Sequence, residues 1–296
     1  MLIFNEKEPV QFVREKFYKE ILKYKNVKHK IIGKSLCGRP IDLFEIGNSK
    51  DKILMAAGFH GLERLTILVL IKFLYELLIN EYKISRSISI IPCVNPDGTE
   101  ISVFGPKKSG DFFEFVKKTC LKLPKNKLKH SEEPGSCWWQ ANARGVDINH
   151  NFESGWKELK KLEIESGIVD LAPTRYGGEF PESEPETKAI VNLCKNNNFL
   201  YALAFHSQGE EIFWNYGKPI KNSKKMAEKL AESSGYKLSN PKGLAVGGGF
   251  KDWFITEIKH PAFTIEIGKG ENPLPLSDFD HIYKKIKKLL FISLKM

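Results

Sequence analysis

Short apolar runs alternate along this chain with longer stretches whose apolar positions recur at helical spacing. Residues 53–58 read as a buried strand. Residues 63–78 follow as a helix, with Leu65, Leu68, Val69 and Phe73 on one face and Lys72 turned outward. Residues 88–94 predict the next strand, stopped by the turn Asn95-Pro96-Asp97-Gly98. A helix is expected over 184–195, where Pro185 fits the first turn. Residues 200–205 read as a strand, 222–234 as a helix and 262–267 as another central strand. Ser277 predicts the N-cap of a last helix through Tyr283, Ile286 and Leu290, with Asp280 completing a capping box. The alternation implies an α/β fold: a mixed, mostly parallel central sheet with helices on both faces.

Between Phe104 and Gln140 the rhythm lapses. This lysine-rich stretch carries Pro106, Pro124 and Pro134 and predicts one short helix over 112–121. It reads as an irregular surface insertion, 104–140, within a single domain spanning 1–296. The net charge of +10 is mostly lysine excess spread along the chain. With no nucleic-acid motif beside it, the excess implies a solvated surface, and no nucleic-acid partner is expected. Cys37, Cys93, Cys120, Cys137 and Cys194 are odd in number and form no C-x-x-C pair. That argues against a disulfide framework and for a reducing compartment. The first eight residues, Met1 to Glu8, turn charged before any apolar region of signal-peptide length, and no run is long enough to span a membrane. The expectation is a cytoplasmic protein with no membrane partner; composition says nothing about oligomeric state.

Candidate chemistry gathers where the predicted strands end. His60 and Glu63 follow the first strand, His206 ends the run 200–205, and Glu266 ends the run 262–265. Alone, H-x-x-E arises often by chance, and a lone histidine after a strand is usually a hydrogen-bonded core residue. A carboxylate within Phe263-Thr264-Ile265-Glu266-Ile267 is harder to dismiss, because burying it unpaired is costly. Two imidazoles and one carboxylate fill three zinc positions and leave the fourth for water, as in catalytic sites. A further, unligated carboxylate is the base such a water needs.

Taken in order, His60-x-x-Glu63, Asn95-Pro96-Asp97-Gly98, Arg144-Gly145-Val146-Asp147-Ile148-Asn149, Ser183-Glu184-Pro185-Glu186-Thr187, His206-Ser207 and Thr264-Ile265-Glu266 resemble the zinc carboxypeptidase family over nearly the whole chain. The resemblance implies one zinc per chain held by His60, Glu63 and His206, with Glu266 as general base. It implies further that Arg144 steadies the oxyanion and Asn149 holds a substrate carboxylate. His150 stands where the family's carboxypeptidases place an arginine for the terminal carboxylate, and Leu244 stands where they carry a tyrosine. An imidazole lacks the planar fork of guanidinium, so simple C-terminal trimming is not implied. The runs 206–214 and 248–254 are similar to a bacterial branch, the γ-D-glutamyl-meso-diaminopimelate peptidases. By that resemblance Lys251 lies in the pocket for the residue after the scissile bond. There Lys251 and Asp252 would read a zwitterionic side chain, while an exposed pair would be worth little.

The expected function is therefore zinc-dependent hydrolysis of the γ-D-glutamyl–meso-diaminopimelate bond of small murein peptides. A metallocarboxypeptidase or related amidohydrolase of other specificity shares the chemistry, and an inactive peptide-binding relative is the non-enzymatic alternative. The intact set His60, Glu63, His206, Arg144 and Glu266 disfavours the last.

Overall fold

The computed structural model describes residues 10–82, 84–123 and 137–296. One sheet organises them, from β1 (Val27–Lys34), β2 (Pro40–Ile46), β3 (Lys52–Ala57), β4 (Ser87–Ile91), β5 (Phe199–His206), β6 (Glu211–Phe213), β7 (Lys237–Ser239) and β8 (Ala262–Glu266). Its order is β1-β2-β4-β3-β5-β8-β6-β7. The central strands β4, β3, β5 and β8 all run parallel, while β1, β2 and β6 join antiparallel. β1 is an exposed edge carrying Lys28 and Lys30, charges that discourage further strand pairing.

The period of two along each strand divides the core. Ile53, Met55 and Ala57 of β3 join a cluster with α1 (Val10–Ile21), α2 (Arg64–Ile79), α7 (Ser223–Ser234) and α9 (Phe279–Ser293). Leu54 and Ala56 point the other way, toward α6 (Pro185–Lys195) and the short α8 (Phe250–Trp253), which runs on into a π-helical turn. Helix α2 is buried on most sides, from Leu65 through Leu78. Each fully buried Leu or Phe in these layers stabilises the fold by about 1.5–3 kcal/mol. A smaller cluster joins α3 (Pro96–Phe104) and α4 (Phe113–Leu121) to Cys137, Trp139 and Ala141. Helix α5 (Trp156–Glu165) lies between this region and α6 in the chain.

Three expectations are corrected. Asn95-Pro96-Asp97-Gly98 is not a turn but the start of α3: the Asn95 side chain accepts from Gly98 N, and Pro96 needs no donor in the first turn. Ser277 caps nothing, since a 3-10 turn over Leu276–Asp278 leads into α9 and no side chain caps its end. Cys120 and Cys137 form a disulfide, so the cysteine pattern no longer speaks for a reducing compartment. Of the expected insertion, 124–136, with Pro124 and Pro134, lies outside the described residues. Among the described residues no helix is long and apolar enough to cross a membrane.

Candidate metal centre

The site forms where the parallel strands end, on the face shared with α6 and α8. Past β3, Gly58 turns the chain with φ of +63°, where a Cβ would lie 2.9 Å from Ile67. Asn95 holds the turn, accepting nothing there but donating from its backbone to Gly58 O (2.9 Å) and from Nδ2 to Phe59 O (3.1 Å). His60 and Glu63 are thereby set facing each other, 2.7 Å between Nδ1 and Oε1. From the end of β5, His206 brings its Nδ1 to 3.0 Å from Glu63 Oε2 and 3.3 Å from His60 Nδ1. All three side chains are buried, and one ligand atom from each lies within 4.8 Å of the others. Two imidazole nitrogens aimed at each other and at one carboxylate make a poor hydrogen-bond set but a good donor set for a cation.

The two rings are held differently. His60 Nε2 lies 3.1 Å from Asp147 Oδ1, and a proton on Nε2 leaves the Nδ1 lone pair for a metal. Asp147 is itself fixed by backbone N–H groups of Asn149 (3.1 Å) and Arg175 (2.9 Å). His206 Nε2 has no hydrogen-bond partner among the described residues, and its ring is instead stacked on Phe59 at 5.0 Å. Burial disfavours charge on His60, yet the Glu63 and Asp147 carboxylates outweigh it and raise its pKa well above the ordinary value. Burial likewise opposes charge on Glu63 and Asp147, but the imidazoles beside them hold both below the usual carboxylate range.

Glu266 sits in register with His206 across β5 and β8. Its carboxylate has no hydrogen-bond partner among the described residues, and burial plus the charge of Glu63 raise its pKa well above the usual carboxylate range. A cavity of about 400 Å³ opens over Glu266 and the two histidines. Gln140, Asp147 and Arg175 line it, as do Asn149 and His150, and so do Leu244, Gly247, Lys251 and Asp252.

Residues 15–288 match the zinc carboxypeptidase family model. The chain belongs to the zinc carboxypeptidase family. It is 34% identical over 269 residues to gamma-D-glutamyl-L-diamino acid endopeptidase 1 of Lysinibacillus sphaericus, covering 86% of this chain and 64% of that protein. This chain thus spans just under two thirds of that relative's length. To murein peptide amidase A of Escherichia coli K12 it is 25% identical over 224 residues, covering 75% of this chain and 74% of the other. The fold agrees with bovine thrombin-activatable fibrinolysis inhibitor: TM-score 0.69 at 19% identity, covering 98% of each chain. The family's cofactor is zinc, and the His60–Glu63–His206 group has the donor set to hold it.

Of the residues expected from sequence, the family fold brings His60, Glu63, His206, Glu266, Asn149, His150, Lys251 and Asp252 to one place. It does not bring Arg144 there. Gly145, at φ of +90°, turns the chain between Arg144 and Asp147, and the guanidinium goes instead to Glu184, with Nη2 3.0 Å from Oε2. Glu184 is buried and also accepts from Asn142 Nδ2 at 2.6 Å, so Arg144 neutralises a buried carboxylate outside the cavity. Polar wall residues not named as candidates from the sequence include Asp147, Gln140, Arg175 and Lys242. Asp147 lay inside a quoted motif, and a carboxylate behind a ligand histidine was the signal to look for. Gln140 and Arg175 come from irregular segments with no periodicity to mark them.

Proposed function

We propose that this protein is a zinc peptidase that cuts the γ-D-glutamyl–meso-diaminopimelate bond of small murein peptides. One observation carries the chemistry: two Nδ1 atoms and the Glu63 carboxylate converge beside an unpartnered Glu266 at the mouth of a cavity. The similar endopeptidase and amidase support the substrate, and so does a wall that offers both signs of charge.

His60, Glu63 and His206 would hold the ion. Bound there, zinc supplies Lewis acidity and lowers the pKa of water at the site toward about 7. Glu266 takes the proton of the attacking water and returns it to the amine of the departing diaminopimelate. Gln140, rather than Arg144, faces the developing oxyanion: its Oε1 accepts from Thr174 Oγ1 at 2.5 Å, which leaves the Nε2 donor for the cavity. Asn149 accepts from Phe250 N at 3.0 Å through Oδ1, so its Nδ2 is left to bind a substrate carboxylate. His150 is braced by Glu163, 3.0 Å from Nδ1, and closes the same wall. Lys251 and Asp252 pair within the wall, both buried.

The test is incubation of the zinc-loaded protein with L-Ala-γ-D-Glu-meso-diaminopimelate, with and without chelator. L-Ala-D-Glu and free diaminopimelate are expected, with release abolished by the chelator. Glu266→Gln is expected to bind one zinc and turn over at least about a hundredfold more slowly, since general bases contribute roughly 10²–10⁴. No release from the zinc-loaded protein would leave a peptide-binding role in its place. Near-normal turnover by Glu266→Gln would remove Glu266 as the base.

A further inference from the structure

We propose that Arg175 determines specificity on the acyl side, by binding the free α-carboxylate that a γ-linkage leaves on the D-glutamyl residue. The inference rests on the substrate proposed above.

Arg175 lines the cavity, is exposed, and has no carboxylate partner among the described residues. Arg144 is engaged by Glu184, Arg39 by Asp97 and Lys251 by Asp252, and the other cavity-lining cation with no ion pair among the described residues is the exposed Lys242, which comes from a different segment. The backbone beneath Arg175 is specially set. Its φ of +65° is the left-handed region, which a long side chain seldom adopts and which costs on the order of 1 kcal/mol. What holds it there is its own N–H, donated to Asp147 Oδ2 at 2.9 Å. Asp147 Oδ1 faces His60 Nε2, so a single carboxylate fixes both the root of Arg175 and the ring of a metal ligand. Two neighbouring contacts tie the same segment to the wall. Pro173 O accepts from Gln140 N and Ala141 N, and Thr174 Oγ1 donates to Gln140 Oε1. The guanidinium is thus a free cation whose root keeps a fixed distance from the reacting centre.

The substrate chemistry supplies its counterpart. In a γ-glutamyl peptide the side-chain carboxyl is the acyl group being cut, and the α-carboxylate remains free a few bonds away. An ordinary α-linked peptide carries an amide at the main-chain carbonyl and no such charge. Diaminopimelate, on the leaving side, presents carboxylates and an ammonium, and the wall of Asn149, Lys251 and Asp252 has the groups for them. Arg175 enters from another segment, tied to Asp147 and Gln140. Two anionic ends of one substrate therefore meet cations on two walls, and the guanidinium fork suits a carboxylate bidentately.

The test compares zinc-loaded wild type, Arg175→Gln and Arg175→Lys on two peptides. One is L-Ala-γ-D-Glu-meso-diaminopimelate; the other carries D-isoglutamine, with the α-carboxylate replaced by a carboxamide. A charge-assisted hydrogen bond of ordinary strength gives wild type about a 10- to 100-fold preference in kcat/KM for the free acid. Arg175→Gln is expected to bring that ratio close to one, mainly through KM, and Arg175→Lys to keep an intermediate ratio. A general structural defect lowers both substrates together and leaves the ratio standing. Equal wild-type kcat/KM on the two peptides, or a ratio untouched in Arg175→Gln, overturns the inference. Cleavage of neither peptide by wild type overturns the substrate itself, and the inference with it.

Discussion

Each charged side chain of this cavity is defined by what stands behind it. His60 has Asp147, which fixes its tautomer, whereas His206 has only the face of Phe59. Lys251 has Asp252, with Asn215 O accepting a further bond at 3.0 Å, while Asp252 Oδ2 takes the N–H of Gly247 at 2.8 Å. An exposed lysine–aspartate pair would be nearly worthless, but this one is only 5% and 3% exposed and forms part of the wall. A zwitterionic side chain can enter with its carboxylate on the ammonium and its ammonium on Asp252. A peptide with lysine in place of diaminopimelate lacks that carboxylate. Breaking a desolvated pair costs about 2–5 kcal/mol, so kcat/KM is expected to drop by about 30-fold or more. Lys251→Met should erase most of this difference with zinc content unchanged, which metal analysis and paired kinetics would show. Equal wild-type rates on the two peptides would mean that the buried pair is structural only.

At the scale of elements, the central parallel strands were legible in the sequence, while β1 and the buried β2 were not. The central strands were legible because both their faces are covered, and runs such as Tyr201-Ala202-Leu203-Ala204 are apolar at every position. Their polar terminators, His206 and Glu266, stood out for the same reason. β1 escaped because an exposed edge strand has no apolar face to betray it, and its lysines read as surface. Arg144, expected at the oxyanion by resemblance, is followed by a glycine at positive φ and pairs with Glu184 instead. Asn95-Pro96-Asp97-Gly98 misled because turn and helix N-terminus use the same residues. That motif proves to be a junction: Asn95 caps α3 through Gly98 N and also donates Nδ2 to Phe59 O and Gln140 O. Asn95→Ala is therefore expected to cost the cap, about 1 kcal/mol, and to strand the buried Phe59 carbonyl at about 1–3 kcal/mol, since Gln140 O keeps the Gly61 N–H at 3.0 Å. Urea denaturation should show a loss of about 2–4 kcal/mol by this sum. A loss within about 0.5 kcal/mol, the scale of an inert surface change, would show that the junction holds without its side chain.

Across the whole molecule, one acid outside the cavity makes its own contribution to how stability responds to pH. Glu186 is buried in α6, where it accepts from Leu36 N at 3.3 Å and from Asn142 Nδ2 at 3.4 Å. The segment before β2, the loop carrying Asn142 and helix α6 meet on this one carboxyl. Burial, with the charges of Asp97 and Glu184 nearby, pushes its pKa from 4.5 up to about 8. The native state then keeps a proton at neutral pH that the unfolded chain releases. Stability contributed by this group is full below the unfolded pKa of 4.5 and declines as pH rises, until it is lost through the folded pKa near 8. At about 1.4 kcal/mol per pKa unit, the full decline is on the order of 5 kcal/mol. Depressed acids such as Asp147 act in the opposite sense and only in acid, so they do not mask the effect between pH 5 and 8. Glu186→Gln carries no titrating proton. Relative to wild type, its unfolding free energy in urea should therefore rise steadily from pH 5 to pH 8, whatever its offset at pH 5. Parallel curves for the two proteins would mean that Glu186 is ionised in the native state and that the meeting point of these segments tolerates its charge.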